Sequence, residues 1–252
     1  GTIKNKNNTT NTITLGRYEF DSNTGALKSN TPAQVASVEN CTQEVVISNS
    51  CKELSVFRAG NTATDSTAQN ATARNLKEFI STTLSNGGYY IARFEASGTA
   101  SKITSKYNQK VLVDITQPNA AKLAREMYEE VKENNELVYA SDLVNSYAWD
   151  TAIVFIQTYS VKTDYASHNE SNTTKAFTAT GKNNDKYCNI FDMSGNAYEW
   201  TTEYSNYMPC VSRGGPYFIA NGGSGDCTSY RSSNITTTSG SSLGLRSLLY
   251  VK

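Results

Sequence analysis

The first twelve residues, GTIKNKNNTTNT, carry no hydrophobic period and predict a frayed terminus. ITLGRYEF then alternates apolar and polar positions as a strand does, and the turn sequence DSNTG follows it. EVVIS and LSVFR predict two short strands, and AGNTATDSTAQNATA predicts a polar loop. From Ala73 onward the pattern is clearer. ARNLKEFISTTLSNGG sets Leu76, Phe79, Ile80 and Leu84 on one helical face, with Gly87 as the stop. YYIARFEAS predicts a strand, and KYNQKVLVDIT an extended segment ended by Pro118. NAAKLAREMYEEVKENN predicts an amphipathic helix with Leu123, Ala124, Met127 and Val131 inward. DLVNSYAWDTAIVFIQ predicts a third helix, capped by Ser141 and carrying Trp149 into the core. A polar loop of roughly thirty residues follows Gln157, long enough to suggest function. The last third holds YCNIFDMSGNAYEWTTEYS, a Gly/Ser/Thr/Asn-rich run, and the buried-strand ending LGLRSLLYVK.

Two or three helices among many short strands and long loops give an α+β class. Residues 1–70 form a poorly legible strand and loop region expected to pack on the main domain, which spans 71–252. A length of 252 residues is enough for one sizeable core. Tyrosine dominates the aromatics, 16 against 8 Phe and 2 Trp, which fits either an exposed recognition surface or half-buried strands. The 23 basic and 23 acidic residues cancel without a charged block, which argues against a nucleic-acid footprint. No apolar run reaches 18 residues, so no membrane span is expected, and no signal peptide is visible. The five cysteines lack C-x-x-C spacing, which disfavours zinc, although Cys41 and Cys51 can close a short loop. The lone His168 in YASHNESNTT is expected to be solvated and leaves no basis for Ser–His or Cys–His catalysis.

NIFDMSGNAYEWT, Asn189 to Thr201, is the most specific string. Asp192 precedes a Ser-Gly-Asn turn and Glu199 follows seven residues later. Two such carboxylates can converge with backbone carbonyls on calcium. In the simpler alternative Asp192 caps free amides of the turn and Trp200 fills the core. With SRGGPY, LGLRSLLY and GGYYIARFEAS, the string resembles the formylglycine-generating-enzyme branch of the C-type lectin fold, in order and spacing, over roughly Gly87 to Lys252. The resemblance implies a C-type lectin fold and a structural calcium held by Asp192 and Glu199 with the carbonyls of Gly195 and Ala197. It also implies that the copper-binding cysteines of the oxidase correspond roughly to Ile219 and Ser224. Neither is a cysteine, and Cys227 alone does not make a two-thiolate copper site. The closing motif has Leu245 where the family usually has Phe.

From Pro209 to Val251 there is no Lys, Glu, Gln, Met, Trp or His. The first five types fill 39 of the first 208 positions, so about eight are expected in this window. An AAC codon with randomised adenines encodes only Asn, Thr, Ser, Ile, His, Pro, Arg, Leu, Asp, Ala, Gly, Val, Tyr, Cys and Phe. PYFIAN, DCTSY and SSNI keep to that set. The pattern resembles the variable proteins of diversity-generating retroelements, which mutate template adenines and display the product on a C-type lectin fold. An ordinary Gly/Ser/Thr-rich loop is the plainer alternative.

The expectation is therefore a non-enzymatic ligand-binding or display protein with a variable region at about 200–240. Its contact residues are Tyr204, Ser205, Asn206, Tyr207, Pro216, Tyr217, Phe218, Ile219, Ala220, Asn221, Asp226, Thr228, Tyr230, Ser232, Ser233, Asn234 and Ile235. Arg213, Gly214, Gly215, Arg231, Gly244 and Arg246 are expected to be scaffold. No cofactor is required beyond the calcium that the resemblance implies. The partner is a varied protein or cell-surface ligand, and the setting is extracellular, on a cell surface or a phage virion. A fixed adhesive surface domain of a phage or bacterium is the first alternative, and a sulfatase-modifying-type oxidase the second.

Overall fold

The computed structural model describes residues 2–4, 10–53, 73–131, 137–170, 176–218 and 227–252. LSVFR, most of the polar loop after it, Ile219, Ala220, Asn221, Ser224 and Asp226 lie outside the described residues.

The strand β1 is Cys51–Glu53. Asn75 caps α1, Leu76–Asn86, by accepting from the Glu78 amide at 3.0 Å, and Gly87 ends it in the left-handed conformation (φ 79°). This matches the predicted stop. Leu76, Phe79 and Ile80 are buried as expected, but Thr83 takes the fourth inward place and Leu84 is 53% exposed. The difference is one step of helical phase. β2 is Tyr90–Ile91, so the predicted strand YYIARFEAS pairs as a strand only at Tyr90–Ile91 and at Ser97, which opens a separate short strand, Ser97–Thr99.

α2 runs from Gln117 to Arg125 with Pro118 in its first turn. It is shorter than predicted, because Glu129–Val131 is the strand β3. β4, Leu137–Leu143, contains Ser141 and Asp142, where the sequence pattern predicts a helix start. The cap is Asn145, whose side chain accepts from the Ala148 amide at 2.9 Å, and α3 runs from Ser146 to Tyr159. The apolar run through Leu143 and Val144 has no period that separates strand from helix, so tertiary pairing decides it.

The strands that follow α3 are β5 (Lys186–Tyr187), β6 (Ile190–Phe191), β7 (Tyr198–Trp200), β8 (Glu203–Ser205), β9 (Cys210–Arg213), β10 (Ser232–Asn234), β11 (Leu243–Leu245) and β12 (Ser247–Val251); further short two-stranded pairs lie before α3. One antiparallel sheet has the order β2-β12-β4-β3 and joins the chain end to its middle, with Tyr139 opposite Val251. A second has the order β10-β9-β7-β11, where only β7 and β11 run parallel. β8 pairs antiparallel with β1, so the N-terminal region packs against the C-terminal half.

Trp149, Tyr147, Ile153 and Ile156 of α3 join Leu76, Phe79 and Ile80 of α1 in the larger core. Leu123, Trp200, Leu243 and Leu245 belong to a second cluster. Each tryptophan also satisfies its indole N–H: Trp149 donates to the Thr228 carbonyl at 2.9 Å and Trp200 to the Ile115 carbonyl at 2.8 Å. The result is α+β with three described helices and many short strands, the C-type-lectin-like fold. No helix among the described residues is long and apolar enough to cross a membrane.

Candidate functional site: an exposed face pinned by buried arginines

β9 connects the two parts of the candidate face. At its start, Tyr207 is 80% exposed, Asn206 is exposed and Tyr204 is half-buried with the Lys52 ammonium 5.3 Å from its ring centre. β10, the edge strand beside β9, presents half-buried Ser232, Ser233 and Asn234, and Ile235 just beyond it is 51% exposed. Past the other end of β9, Phe218 is 45% exposed and its ring lies 5.3 Å from that of half-buried Tyr217. Phe177 packs its ring, tilted by 53°, against Tyr217 at 4.4 Å between centres, an aromatic partner that the sequence did not mark. Tyr230 is half-buried.

Three expected contact residues point inward instead. Thr228 is fully buried, with both its amide and its hydroxyl donating to the His168 carbonyl at 2.9 and 3.0 Å. Ser205 is buried in the β8–β1 pair, and Pro216 is buried after the double glycine. These three support the face from below.

Beneath the face lies a dry network of ion pairs. Arg231 donates through Nε to Glu203 at 2.8 Å and through Nη2 to Asp150 at 2.6 Å. Arg213 donates to the other oxygens of the same two carboxylates, at 3.2 Å to Glu203 and 2.7 Å to Asp150. Arg17 from the N-terminal region adds a third guanidinium at 2.8 Å from Glu203. All these side chains are at most 1% exposed. Burial works against ionised Glu203, yet Arg231, Arg213 and Arg17 together outweigh it and hold its carboxyl at about 2. Nearby Glu53 lacks that surplus of cations. Burial first, and then the charge of Glu203, push it up to about 7. Gly214 is required where it stands: its φ is 90°, and a Cβ would sit 2.9 Å from the Met193 carbonyl oxygen. The expected scaffold residues Arg213, Gly214, Gly215, Arg231, Gly244 and Arg246 are all buried.

The sequence did not mark Asp150, Glu203, Arg17 or Glu53. Asp150 had one available signal, an isolated acid within the apolar run YAWDTAIVFI, since a lone charge on a buried helical face implies a buried partner.

The turn expected to hold calcium is organised around an arginine. Arg246 donates Nε to Glu199 Oε2 at 2.8 Å and Nη2 to Oε1 at 2.6 Å, and its remaining donors reach the carbonyls of Ala92 and Phe191 at 2.8 Å. Both Glu199 oxygens are therefore occupied by a fixed cation. Asp192 accepts from the Gly181 amide, and the Gly195 amide donates to the Gly214 carbonyl at 2.7 Å. Glu95, also absent from the sequence reading, accepts from the Asn196 side chain at 2.6 Å and from the Ala197 amide at 3.0 Å. Burial pushes the carboxyls of Glu95, Asp192 and Glu199 upward. Among the described residues no three His, Cys, Asp or Glu side chains are disposed to hold a metal. Glu199 is therefore not free to join Asp192 and the carbonyls of Gly195 and Ala197 on a calcium ion.

All five cysteines are free, so Cys41 and Cys51 are not bridged. His168 is not solvated as expected. Its side chain is 14% exposed, 3.1 Å from Glu170 and packed by the rings of Tyr165 and Tyr187, and burial lowers its pKa.

The model of the sulfatase-modifying factor enzyme 1-like domain matches residues 57–249. The chain belongs to this family. Of solved structures, the chain is similar to Treponema denticola variable protein 1, with a TM-score of 0.38 and 14% identity over 62% of this chain and 75% of that one. CarF is similar with a TM-score of 0.37 and 14% identity, over 73% and 77% of the two chains. No curated protein matches.

Proposed function

We propose that this chain is a non-enzymatic ligand-binding protein whose C-terminal face is diversified by a retroelement to engage varied protein or cell-surface ligands. The observation that carries the reading is a coincidence of two maps. The window lacking Lys, Glu, Gln, Met, Trp and His contains the exposed Phe218 and Ile235, while its arginines are buried in ion pairs. Changeable side chains on an immobile frame are what a diversified surface requires. Short side chains and tyrosines also lose little rotamer freedom on binding. Copper-dependent oxidation is disfavoured because the positions corresponding to the copper cysteines are Ile219 and Ser224. The setting that suits such a face is extracellular, on a cell surface or a virion.

A displayed library that randomises Tyr207, Phe218, Ser233 and Ile235 tests the reading. Most members are expected to stay folded, and selection against an unrelated folded protein is expected to yield binders. Loss of folding in most members would refute the proposal and favour a fixed adhesive domain.

A further inference from the structure

A second candidate site is built from elements that carry no residue of the variable face. The end of α1, the turn into β2, the Thr151, Ala152 and Phe155 side of α3 and the β5–β6 hairpin line an open cleft of about 410 Å³. Ile13, Leu15, Ile91, Phe155 and Ile190 form its apolar wall. At roughly 30 Å³ per water-sized group, it has room for about a dozen non-hydrogen atoms.

Three features give the cleft chemical character. Arg93 is the only charged side chain lining it; the residue is exposed, and among the described residues its guanidinium has no carboxylate partner. No acid lines the cleft, so an anionic group at Arg93 meets attraction without repulsion. Gly87 and Gly88 leave open space, since a Cβ on either would meet nothing within 4 Å. Finally, Cys188 and Asn189 join β5 to β6 as a two-residue turn with φ of 50° and 65°. Such a turn favours Asn and Gly and disfavours Cys, yet it holds the Cys188 thiol in the cleft wall.

We infer that this cleft binds a small amphipathic anion, a monocarboxylate with a medium-length aliphatic chain, whose head group meets Arg93 and whose chain lies along the apolar wall. The other four cysteines are buried, so Cys188 also reports on occupancy.

Calorimetric titration of the full chain with decanoate and with uncharged decanol tests the inference. The expected result is saturable binding of one decanoate per chain and slower maleimide labelling of Cys188 when it is bound. Arg93→Gln should weaken decanoate about three- to tenfold and leave decanol unchanged. Gly88→Leu should abolish binding of both while leaving the melting temperature unchanged. Absence of saturable decanoate binding overturns the inference. So does undiminished binding by Gly88→Leu, or equal loss of decanoate and decanol in Arg93→Gln.

Discussion

Arg231 shows how a residue from a segment of disordered-looking composition becomes structural. Its guanidinium spans Glu203 and Asp150 at once, which the single ammonium of a lysine cannot do. Arg231→Lys therefore leaves a buried carboxylate short of a partner. It should destabilise the domain by about 3–5 kcal/mol, a melting-temperature loss of roughly ten degrees. Calorimetry that finds a loss below two degrees would contradict the network's role. Asp185 gives a separate, pH-dependent test. Burial raises its carboxyl from 3.8 to about 7, while the Ser194 amide and Tyr165 hydroxyl both donate to Oδ2 at 2.8 and 2.7 Å. The folded state therefore holds a proton that the unfolded chain releases, so the contribution is full below about pH 4 and is lost as pH rises towards 7. Asp185→Asn keeps the accepting oxygen and removes the titration. Melting curves between pH 4 and 7 should be flatter for the variant by the share that Asp185 contributes, and an unchanged slope would show that Asp185 does not titrate there.

At the scale of elements, the paired strands β9 and β10 separate the roles of neighbouring positions. Arg213 at the end of β9 and Arg231 just before β10 reach down to α3 and β8, whereas Ile235 beyond β10 reaches outward. Ile235→Ser and Tyr207→Ser should each change stability by no more than about 0.5 kcal/mol, read as a melting shift of a degree or two. A larger loss would mean that the face is part of the core. The α1 stop was legible because Gly87 in the left-handed conformation is a local requirement, set by the helix end itself. The start of α3 was not, since Ser141 and Asn145 both qualify as caps in sequence. Pairing of residues 139–143 with 247–251, about a hundred positions away, makes the first of them a strand residue. Arg213 of R-G-G, and Arg246 of L-G-L-R with its partner Glu199, lie in recognisable motifs; the partners of Arg213 do not. Asp150 and Glu203 were not recognisable, because the contacts join positions 63 and 10 residues from Arg213 with no shared local pattern.

For the whole molecule, the balance of buried charge decides what the family turn does. Arg246 occupies both oxygens of Glu199 and also ties β6 and the segment after β2 to the same point. Calcium added at millimolar concentration, or its removal by chelation, should leave the melting temperature unchanged. A calcium-dependent rise of several degrees would show that the arginine and a metal share the turn. The larger question is why a C-terminal segment of such narrow composition folds around a core at all. Its apolar closing strands and buried arginines supply the anchoring, and five of the six omitted residue types, Lys, Glu, Gln, Met and Trp, are absent from the alphabet of randomised AAC codons. That account is tested most directly by sequencing the DNA flanking this gene. It predicts a near-identical repeat of the segment encoding about residues 200–246, beside a reverse transcriptase gene, with mismatches confined to template adenines. No repeat, or a repeat with mismatches spread over all four bases, would contradict it.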